Sequence, residues 1–264
     1  MDEAAIEQAA ELLCRARLEH RPIGPLPAAY RPPDQAAAYA VQERLHEKLL
    51  AAGRGPLAGY KIGCTTPVMQ RFLDIPNPCA GGVLAPTVAR GEGQFRHGDF
   101  LHVGVECEIA VRLGRDLPPS DRPHDRDSVG VAVQACMAAI EVVDDRYVDY
   151  RALDTPTLIA DDFFNAACVL GSPVVAWHDI DLGALTGRMT INGREVGRGR
   201  GADILGQPFE ALAWLANALV DRGQRLRAGE IVLLGSLVET RWVTPGDRVE
   251  INIDHLGLAA CTFF

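Results

Sequence analysis

The sequence has no long apolar run, no block of basic residues and no cysteine pair at redox or zinc-binding spacing. No apolar stretch reaches the roughly 18 residues that a membrane span needs, and the first residues are acidic where a secretory signal would be basic. We therefore expect a cytoplasmic protein without a membrane segment. A net charge of -9 argues against a nucleic-acid partner, because phosphate binding needs a concentrated basic surface.

Cysteine and lysine usage is also informative. The seven cysteines are odd in number, contain no C-x-x-C and lie mostly in apolar stretches, which predicts free buried thiols in a reducing compartment. Of the 26 lysines and arginines, only Lys48 and Lys61 are lysines. A lysine kept within "GYKIG" suggests a position where arginine fails, since a desolvated lysine can lower its pKa and exchange protons. Chance retention is the alternative.

The 264 residues, 48% of them hydrophobic, can form one large domain. Residues 2–20 have helical spacing, and after a proline-rich turn Asp34 is the expected N-cap of a second helix that ends at Gly53. Residues 1–55 are therefore predicted to be a helical N-terminal portion, and residues 56–264 a catalytic mixed β domain.

From about residue 57 onward, short β runs alternate with Gly and Pro. This pattern is typical of an antiparallel or mixed β architecture in the α+β class and not of a doubly wound sheet. The stretch "INGRE" predicts a hairpin with a type I′ turn. Helices are expected at about 129–138 and from Pro208 to Gly223, where the glycine ends the second of them.

The run "GVECEIAVRLG" contains Glu106 and Glu108 among apolar residues. Side chains alternate along a strand, so both carboxylates face the same way, about 6–7 Å apart. Their repulsion, on the order of 2–3 kcal/mol at a dielectric near 20, is relieved by a hard divalent cation such as Mg²⁺, Mn²⁺ or Ca²⁺. The lack of H-x-x-x-H or a cysteine pair argues against zinc. The alternative is a solvated face on which Glu108 pairs with Arg112.

A third carboxylate comes from "AAIEVVDDRY", where Glu141 interrupts another apolar run. Asp144 and Asp145 are competing candidates, but they lie at the polar end of the run beside Arg146, where ion pairing or a turn is expected. Three carboxylates on an octahedral Mg²⁺ would leave about three positions for water or substrate.

Several motifs, taken in order, resemble one family: "GYKIGCT", "MQRFL", "GVECEIAVRLGRDLP", "AAIEVVDDR", "LIADD", "VLLGSLV" and "VTPGDRVEINIDHLG". The sequence is similar, from about Pro33 to its end, to the 2-keto-4-pentenoate hydratase and 4-oxalocrotonate decarboxylase branch of the fumarylacetoacetate hydrolase superfamily. The resemblance implies a mixed β-roll of the fumarylacetoacetate hydrolase C-terminal type with a helical N-terminal portion. It also implies a small 2-keto acid substrate and a homo-oligomer.

The resemblance further implies a set of site residues. The metal, Mg²⁺ or Mn²⁺, would be held by Glu106, Glu108 and Glu141. Lys61 would lie beside it as the catalytic residue, paired with charge or moving a proton. Ser236 and Asp162 would bind the substrate, although a structural hydroxyl in a turn is an equal alternative for Ser236.

The implied reaction is that of a 2-oxopent-4-enoate-type hydratase, which adds water to a metal-polarised enone. Decarboxylation, tautomerisation or carbon-carbon hydrolysis of acylpyruvate-like acids stays open at the same site, as does an inactive partner subunit. Hydrolases of the superfamily take their base from a His and Glu pair near the N-terminal part. Here His20 and His46 are the early histidines, with Glu43 and Glu47 close to His46, and we interpret them as exposed helix surface.

Two stretches depart from the family pattern. Cys79 follows a proline where an acidic residue is usual, and Asp162, Phe163 and Phe164 stand where an asparagine and a small hydroxyl residue are common. The changes in bulk and charge are expected to reshape the substrate pocket while leaving the metal ligands intact.

Overall fold

The computed structural model describes the backbone of residues 1–264 and every side chain except those of Pro67 and Phe72. The α-helices are α1 Glu3–Leu18, α2 Gln35–Ala51, α3 Pro67–Phe72, α4 Arg126–Gly130, α5 Thr155–Ala160 and α6 Pro208–Val220. The strands are β1 Leu57–Gly63, β2 Cys79–Leu84, β3 Val88–Arg90, β4 Glu92–Phe95, β5 Val103–Leu113, β6 Val133–Asp144, β7 Asn165–Leu170, β8 Thr186–Ile191, β9 Arg194–Arg200, β10 Ile231–Trp242, β11 Arg248–Ile253 and β12 Gly257–Phe263.

The two N-terminal helices form where the sequence predicts them. Asp34 caps α2 by accepting a 2.8 Å hydrogen bond from the backbone N–H of Ala37, and the chain leaves the helix through Gly53 at φ 77°. Helices α1 and α2 pack against each other. Across the described chain, none of the helices combines the length and apolarity needed to cross a membrane. The division between residues 55 and 56 stays a prediction.

The larger sheet has seven strands in the order β2-β1-β10-β5-β6-β7-β3. Strand β3 lies at the opposite edge from β2, although only residues 85–87 separate the two strands. A flat sheet would put those edges about 29 Å apart at roughly 4.8 Å per strand, whereas four extended residues reach about 14 Å at most. The sheet therefore curls until its two edges approach, which creates a concave inner face.

A second sheet of five strands, in the order β4-β12-β11-β8-β9, packs against the convex side of the first. The side chains of β5 that alternate with its glutamates point toward this second sheet and are fully buried, among them Val105, Cys107 and Ile109. At Gly187 of β8 an added Cβ would meet the Cys107 sulfur at 3.0 Å. Together with the helical N-terminus, this arrangement confirms the expected mixed β-roll.

The hairpin and the last helix are also confirmed, because Asn192 and Gly193 take positive φ between β8 and β9 and α6 begins at Pro208. The helix expected at 129–138 is wrong: α4 ends at Gly130, and Val133 begins a long strand. The alanines of "VQACMAAI" favour a helix locally, but both faces of β6 are buried in the sheet. A strand buried on both faces reads as a continuous apolar run, which periodicity alone does not separate from a helix.

Helix α2 covers the open edge of β2. The Tyr39 hydroxyl accepts a hydrogen bond from the Ala80 N–H at 3.0 Å, and the Gln42 amide donates to the Ala80 carbonyl at 2.9 Å. Gln42 also donates to the carbonyl of Ile159 at 2.6 Å. The backbone groups that an edge strand leaves unpaired are thus satisfied by helix side chains, which ties the N-terminal portion to the sheet.

Gly59 provides a test of the β1–β10 pairing. An added Cβ there would lie 1.8 Å from the Ile231 carbonyl oxygen, so Gly59→Ala must push the two backbones apart. We expect a loss of at least about 2 kcal/mol of unfolding free energy in urea titrations. Gly98→Ala, where nothing lies within 4 Å of the added atom, is the matched control. Equal stability of the two variants would contradict the pairing.

Candidate metal centre

Three glutamates meet on the concave face of the curled sheet. Glu106 of β5 pairs directly with Glu141 of β6, and Glu108 lies two residues further along β5 on the same face. Directly paired residues point to the same side of an antiparallel sheet, so register and alternation together bring the side chains to one place. One carboxylate oxygen from each lies within 4.8 Å of the others.

Each carboxylate is oriented by a donor from a neighbouring strand. The Thr240 hydroxyl donates to Glu106, and the Gly235 N–H donates to Glu108 at 2.6 Å. The Asn165 amide donates to Glu141 at 2.9 Å. Such outer partners fix the direction of carboxylate ligands in metal sites.

Burial makes the cluster electrostatically costly. Glu108 and Glu141 are buried and Glu106 is partly buried. Burial, followed by the charges of Glu141 and Glu106, raises the pKa of Glu108 well above its usual range. Burial also raises the pKa of Glu141, against the lowering effect of Lys61. Three carboxylates in this state favour a positive charge among them.

Lys61 supplies part of that charge. It extends from β1, is buried, and its Nζ lies 3.1 Å from both carboxylate oxygens of Glu141. Burial alone would lower the pKa of Lys61, but the three glutamates, Glu141 foremost, raise it above its ordinary value. This direction is opposite to the lowered pKa that the sequence suggests, and it favours the charged form of Lys61 among the carboxylates.

The donor set fits a hard divalent cation. All three candidate ligands offer carboxylate oxygens, which suit Mg²⁺ and Mn²⁺ and not softer metals. The single nearby ammonium leaves three clustered carboxylates incompletely neutralised. The residues can therefore hold a divalent metal ion, and the alternative of a solvated face on which Glu108 pairs with Arg112 is wrong, because Glu108 is buried.

An apolar floor lies next to the carboxylates on the same concave face. Ala110, Met137 and Ala139 continue the inward-facing positions of β5 and β6 and are buried in a cluster with residues of three other strands, β2, β7 and β10. The other buried members are Val83, Cys168, Leu170, Ile231 and Leu233. The interior of the roll is thus polar at the glutamates and closed by apolar side chains beyond them.

Asp162 lies in a buried ionic network beside this site. Its Oδ1 lies 2.7 Å from His46 Nε2 and accepts a 2.7 Å hydrogen bond from the Gly82 N–H, while Oδ2 lies 3.0 Å from the guanidinium of Arg17. The charges of His46 and Arg17 hold the pKa of Asp162 well below its usual range, although burial opposes them. The interpretation of His46 as exposed helix surface is wrong, because its side chain is 12% exposed and faces this carboxylate.

The neighbouring Asp161 anchors the same segment. It accepts from Arg17 Nε at 2.6 Å, from Arg146 Nε at 3.0 Å and from the Tyr147 hydroxyl at 3.0 Å. Arg146 also donates to the carbonyls of Asp161 and Asn165, at 2.8 Å each. The guanidinium therefore clamps both ends of the segment 161–165 and fixes Asn165, the residue that orients Glu141.

Between these anchors the backbone is strained. Asp162, Phe163 and Phe164 have φ values of 57°, 46° and 69°, a conformation that costs a non-glycine residue roughly 1–2 kcal/mol. Three such residues in succession persist only where the surroundings over-determine them. Here the buried pairs of Asp161 and Asp162 do so.

The remaining candidates occupy structural positions. The Ser236 hydroxyl donates to the Val238 carbonyl at 2.6 Å in an irregular part of β10, so its local backbone role is visible and its role at a substrate stays a prediction. Asp144 accepts from the N–H groups of Leu101 and His102, outside the glutamate cluster. Cys79 is buried, 3.7 Å from the Cys64 sulfur.

Three residues that shape the site have no site role in the sequence-based prediction. Arg17, Arg146 and Asn165 reach it from segments far apart in the chain. The signal for Arg17 was its position on the face of α1 that is otherwise buried. Its partner could not be identified in the same way, because Asp161 lies 144 residues away.

The fold and site together define a β-roll with a buried carboxylate centre suited to a divalent metal. Residues 79–263 match the family described as fumarylacetoacetate (FAA) hydrolase C-terminal. The chain belongs to this family.

Relatives and solved structures agree with that assignment. The chain is 37% identical to a 2-keto-4-pentenoate hydratase of Paraburkholderia phymatum, over 99% of this chain and 98% of the relative. It is also 37% identical to 2-keto-4-pentenoate hydratase 2 of Dechloromonas aromatica, over 98% and 97%. A structure of 4-oxalocrotonate decarboxylase from Pseudomonas putida G7, complexed with magnesium and adipate, superposes with a TM-score of 0.92 at 26% identity, covering 100% of this chain and 99% of that one.

Asp161 tests the buried ionic network. Asp161→Asn leaves the Arg146 guanidinium facing a neutral amide while Arg17 keeps its pair with Asp162, and an uncompensated buried charge typically costs about 3–5 kcal/mol of unfolding free energy. Urea unfolding followed by circular dichroism measures the loss. Glu195→Gln removes the partner of Arg198 in an exposed pair and should leave the urea midpoint unchanged. If the two variants had the same midpoint, the anchoring role of Asp161 would be wrong.

Proposed function

We propose that the protein is a metal-dependent lyase acting on small 2-keto or 2-hydroxy-dienoate acids, a hydratase of the 2-oxopent-4-enoate type. The observation that carries the proposal is the buried cluster of three glutamates beside Lys61 on the concave face of the roll. The full-length similarity to 2-keto-4-pentenoate hydratases supports the choice of reaction.

In this proposal Glu106, Glu108 and Glu141 hold Mg²⁺ or Mn²⁺. A cation bound there would act as a Lewis acid on the keto oxygen and carboxylate of a 2-keto acid. Thr240, the Gly235 N–H and Asn165 keep the three carboxylates aimed at one point. The apolar floor beyond them excludes water from the far side of the site and strengthens the electrostatic interactions within it.

The reaction has two balanced steps. A 2-hydroxypenta-2,4-dienoate loses its enol proton from the oxygen on C2 and gains a proton at C5, which leaves a conjugated 2-keto acid. Water then adds its oxygen to C4 while a proton is added at C3, and the product is 4-hydroxy-2-oxopentanoate. Both steps place negative charge on the C2 oxygen, so the site must stabilise that oxygen.

Lys61 is proposed to pair with this charge and to carry a proton. Its ammonium is buried and held at 3.1 Å from Glu141, so it stays directed at the centre without the freedom of a surface lysine. Ser236 and Asp162 remain proposed substrate-binding residues. The contacts of Asp162 with Arg17 and His46 support a contribution through the position of its segment.

A second candidate is decarboxylation of a vinylogous keto acid at the same centre. It is favoured by the TM-score of 0.92 with a 4-oxalocrotonate decarboxylase. Tautomerisation and carbon-carbon hydrolysis would use the same ligands. The His46–Asp162 pair is a histidine and carboxylate couple of the kind that hydrolysis requires, but Arg17 and Gly82 also occupy that carboxylate.

We also propose a cytoplasmic location and a homo-oligomer. All seven cysteines are free and buried, which suits a reducing compartment. The oligomer follows from the family resemblance, and sedimentation velocity of the purified chain would measure it. An inactive partner subunit is disfavoured because the three glutamates and Lys61 are all present and assembled.

An ultraviolet assay with product identification tests the function. Metal-loaded protein is mixed with 2-hydroxypenta-2,4-dienoate and, separately, with acylpyruvates and a 2-hydroxy-dienedioate. Loss of diene absorbance with 4-hydroxy-2-oxopentanoate as product supports the hydratase. A conjugated keto acid without added water would indicate a tautomerase, and release of CO₂ would indicate the decarboxylase.

The ligand assignment predicts the effect of removing one carboxylate charge. Glu108→Gln should lower turnover at least about a hundredfold and weaken Mg²⁺ or Mn²⁺ binding in calorimetry, because a neutral amide is a poor ligand for a hard cation. The fold should persist, since the amide still faces the Gly235 N–H. Glu239→Gln, on the exposed side of β10, is the control. Full activity of both Glu106→Gln and Glu108→Gln, or full activity of the wild-type protein in EDTA, would refute the metal hypothesis.

The two lysines form a matched pair of tests. Lys61→Arg keeps a positive charge but places a larger, permanently charged fork in a buried position, and we expect turnover to fall at least about tenfold. Lys48→Arg alters only a surface pair with Glu7 and Glu11 and should leave turnover unchanged. A normal rate in Lys61→Arg would reduce Lys61 to a packing role.

A further inference from the structure

The strained segment Asp162–Phe164 lies on the concave face, beside the glutamates. Lys61 pairs with Gly81 across β1 and β2, and Gly63 pairs with Cys79, so an added Cβ at Gly63 or Gly81 would point to the same side as the Lys61 side chain. At Gly81 that Cβ would meet the Asp162 carbonyl oxygen at 2.3 Å, and at Gly63 it would meet the Phe163 ring at 2.7 Å. The segment therefore fills the space that the two glycines leave open.

Phe163 forms the wall of the site next to Lys61. The ring centroid lies 5.3 Å from Lys61 Nζ, and that ammonium lies 3.1 Å from Glu141. The side chain is 6% exposed and contacts Phe164 edge to face at 5.5 Å between centroids. A molecule that reaches both the glutamates and Lys61 must therefore lie close to this ring.

The wall is held in place and is apolar. Arg17 and Arg146 pin the segment through Asp161 and Asp162, so the ring does not withdraw without breaking buried ion pairs. Both guanidinium groups already face these carboxylates, and Lys61 faces Glu141. An anionic group placed against Phe163 would lose its water and find both guanidinium groups already paired, while Lys61 is engaged by Glu141 and, in the proposed function, by the charge on the C2 oxygen of the same ligand.

We propose that Phe163 is a specificity-determining residue that makes the site select 2-keto acids with an uncharged distal end over those with a second carboxylate. This inference rests on the proposed function, in that the keto-acid end of the ligand is taken to lie at the glutamates. The distal end of the ligand then runs along the Phe163 ring. Apolar contact there favours a methyl terminus, and the same contact penalises a carboxylate.

Calorimetric binding of two unreactive ligands to the Mg²⁺-loaded full chain tests the proposal. The ligands 2-oxohexanoate and 2-oxohexanedioate have the same chain length and differ only in a terminal methyl or carboxylate. We expect the wild-type chain to bind 2-oxohexanoate at least about tenfold more tightly. Circular dichroism and Mg²⁺ affinity confirm for each variant that the fold and the metal centre are intact.

Variants at one position separate polarity from size. Phe163→Leu keeps an apolar wall and should keep the preference for 2-oxohexanoate. Phe163→Gln places a polar side chain of a size similar to leucine there and should reduce the affinity ratio about tenfold. Phe163→Arg adds a cation and should reverse it. Phe164→Leu changes the adjacent ring in the same strained segment and should leave the ratio within about twofold of wild type.

The outcomes distinguish this inference from the proposed function. If the wild-type chain binds neither ligand, the 2-keto acid function fails and this inference fails with it. If the wild-type chain binds 2-oxohexanoate but Phe163→Gln and Phe163→Arg keep its ratio, the function stands and Phe163 does not determine specificity. A preference that changes in those two variants and not in Phe163→Leu or Phe164→Leu supports the assignment.

Discussion

The repulsion among three carboxylates on one sheet face is the constraint on which the rest of the site depends. Charges less than 5 Å apart repel by on the order of 3 kcal/mol per pair at an effective dielectric near 20, and burial of Glu108 and Glu141 adds to this cost. Lys61 and the donors from β7 and β10 relieve part of it. The remaining negative charge favours a divalent cation among the three carboxylates, so the feature that is costly for folding is the one that the proposed chemistry requires.

The N-terminal helices contribute to the site through backbone edges and buried charge. Tyr39 and Gln42 satisfy the open edge of β2, and His46 and Arg17 fix Asp162 over that edge. Gly81 and Gly63 leave room on the inner face, and the strained segment occupies it. The position of Phe163 thus depends on α1 and α2 although its ring lies beside a residue of β1. Helix packing, strand register and the shape of the site are one connected arrangement.

Alternation along β5 and the motif order were enough to predict from the sequence that Glu106 and Glu108 share a face and that Glu141 joins them, because strand periodicity is local. The N-cap at Asp34 and the turn at Asn192 and Gly193 were predictable for the same reason. The Arg17–Asp161 pair was not, since no local pattern reports a contact across 144 residues. Strand β6 was mistaken in part for a helix because burial on both faces removes the alternation that identifies a strand.

The site combines two kinds of support: the three glutamates lie on the central strands β5 and β6, whereas Phe163 lies in a strained segment held by ion pairs. In the proposed function, a change of the side chain at position 163 would alter substrate choice without moving the three glutamates. The whole arrangement rests on the proposal that the three glutamates bind one hard divalent cation. A crystal structure of the protein soaked in Mn²⁺, with an anomalous difference map at the manganese edge, tests it most directly. We expect one strong peak about 2 Å from an oxygen of each of Glu106, Glu108 and Glu141. If the three glutamate side chains are ordered and no peak lies among them at saturating Mn²⁺, the proposed cation site is wrong.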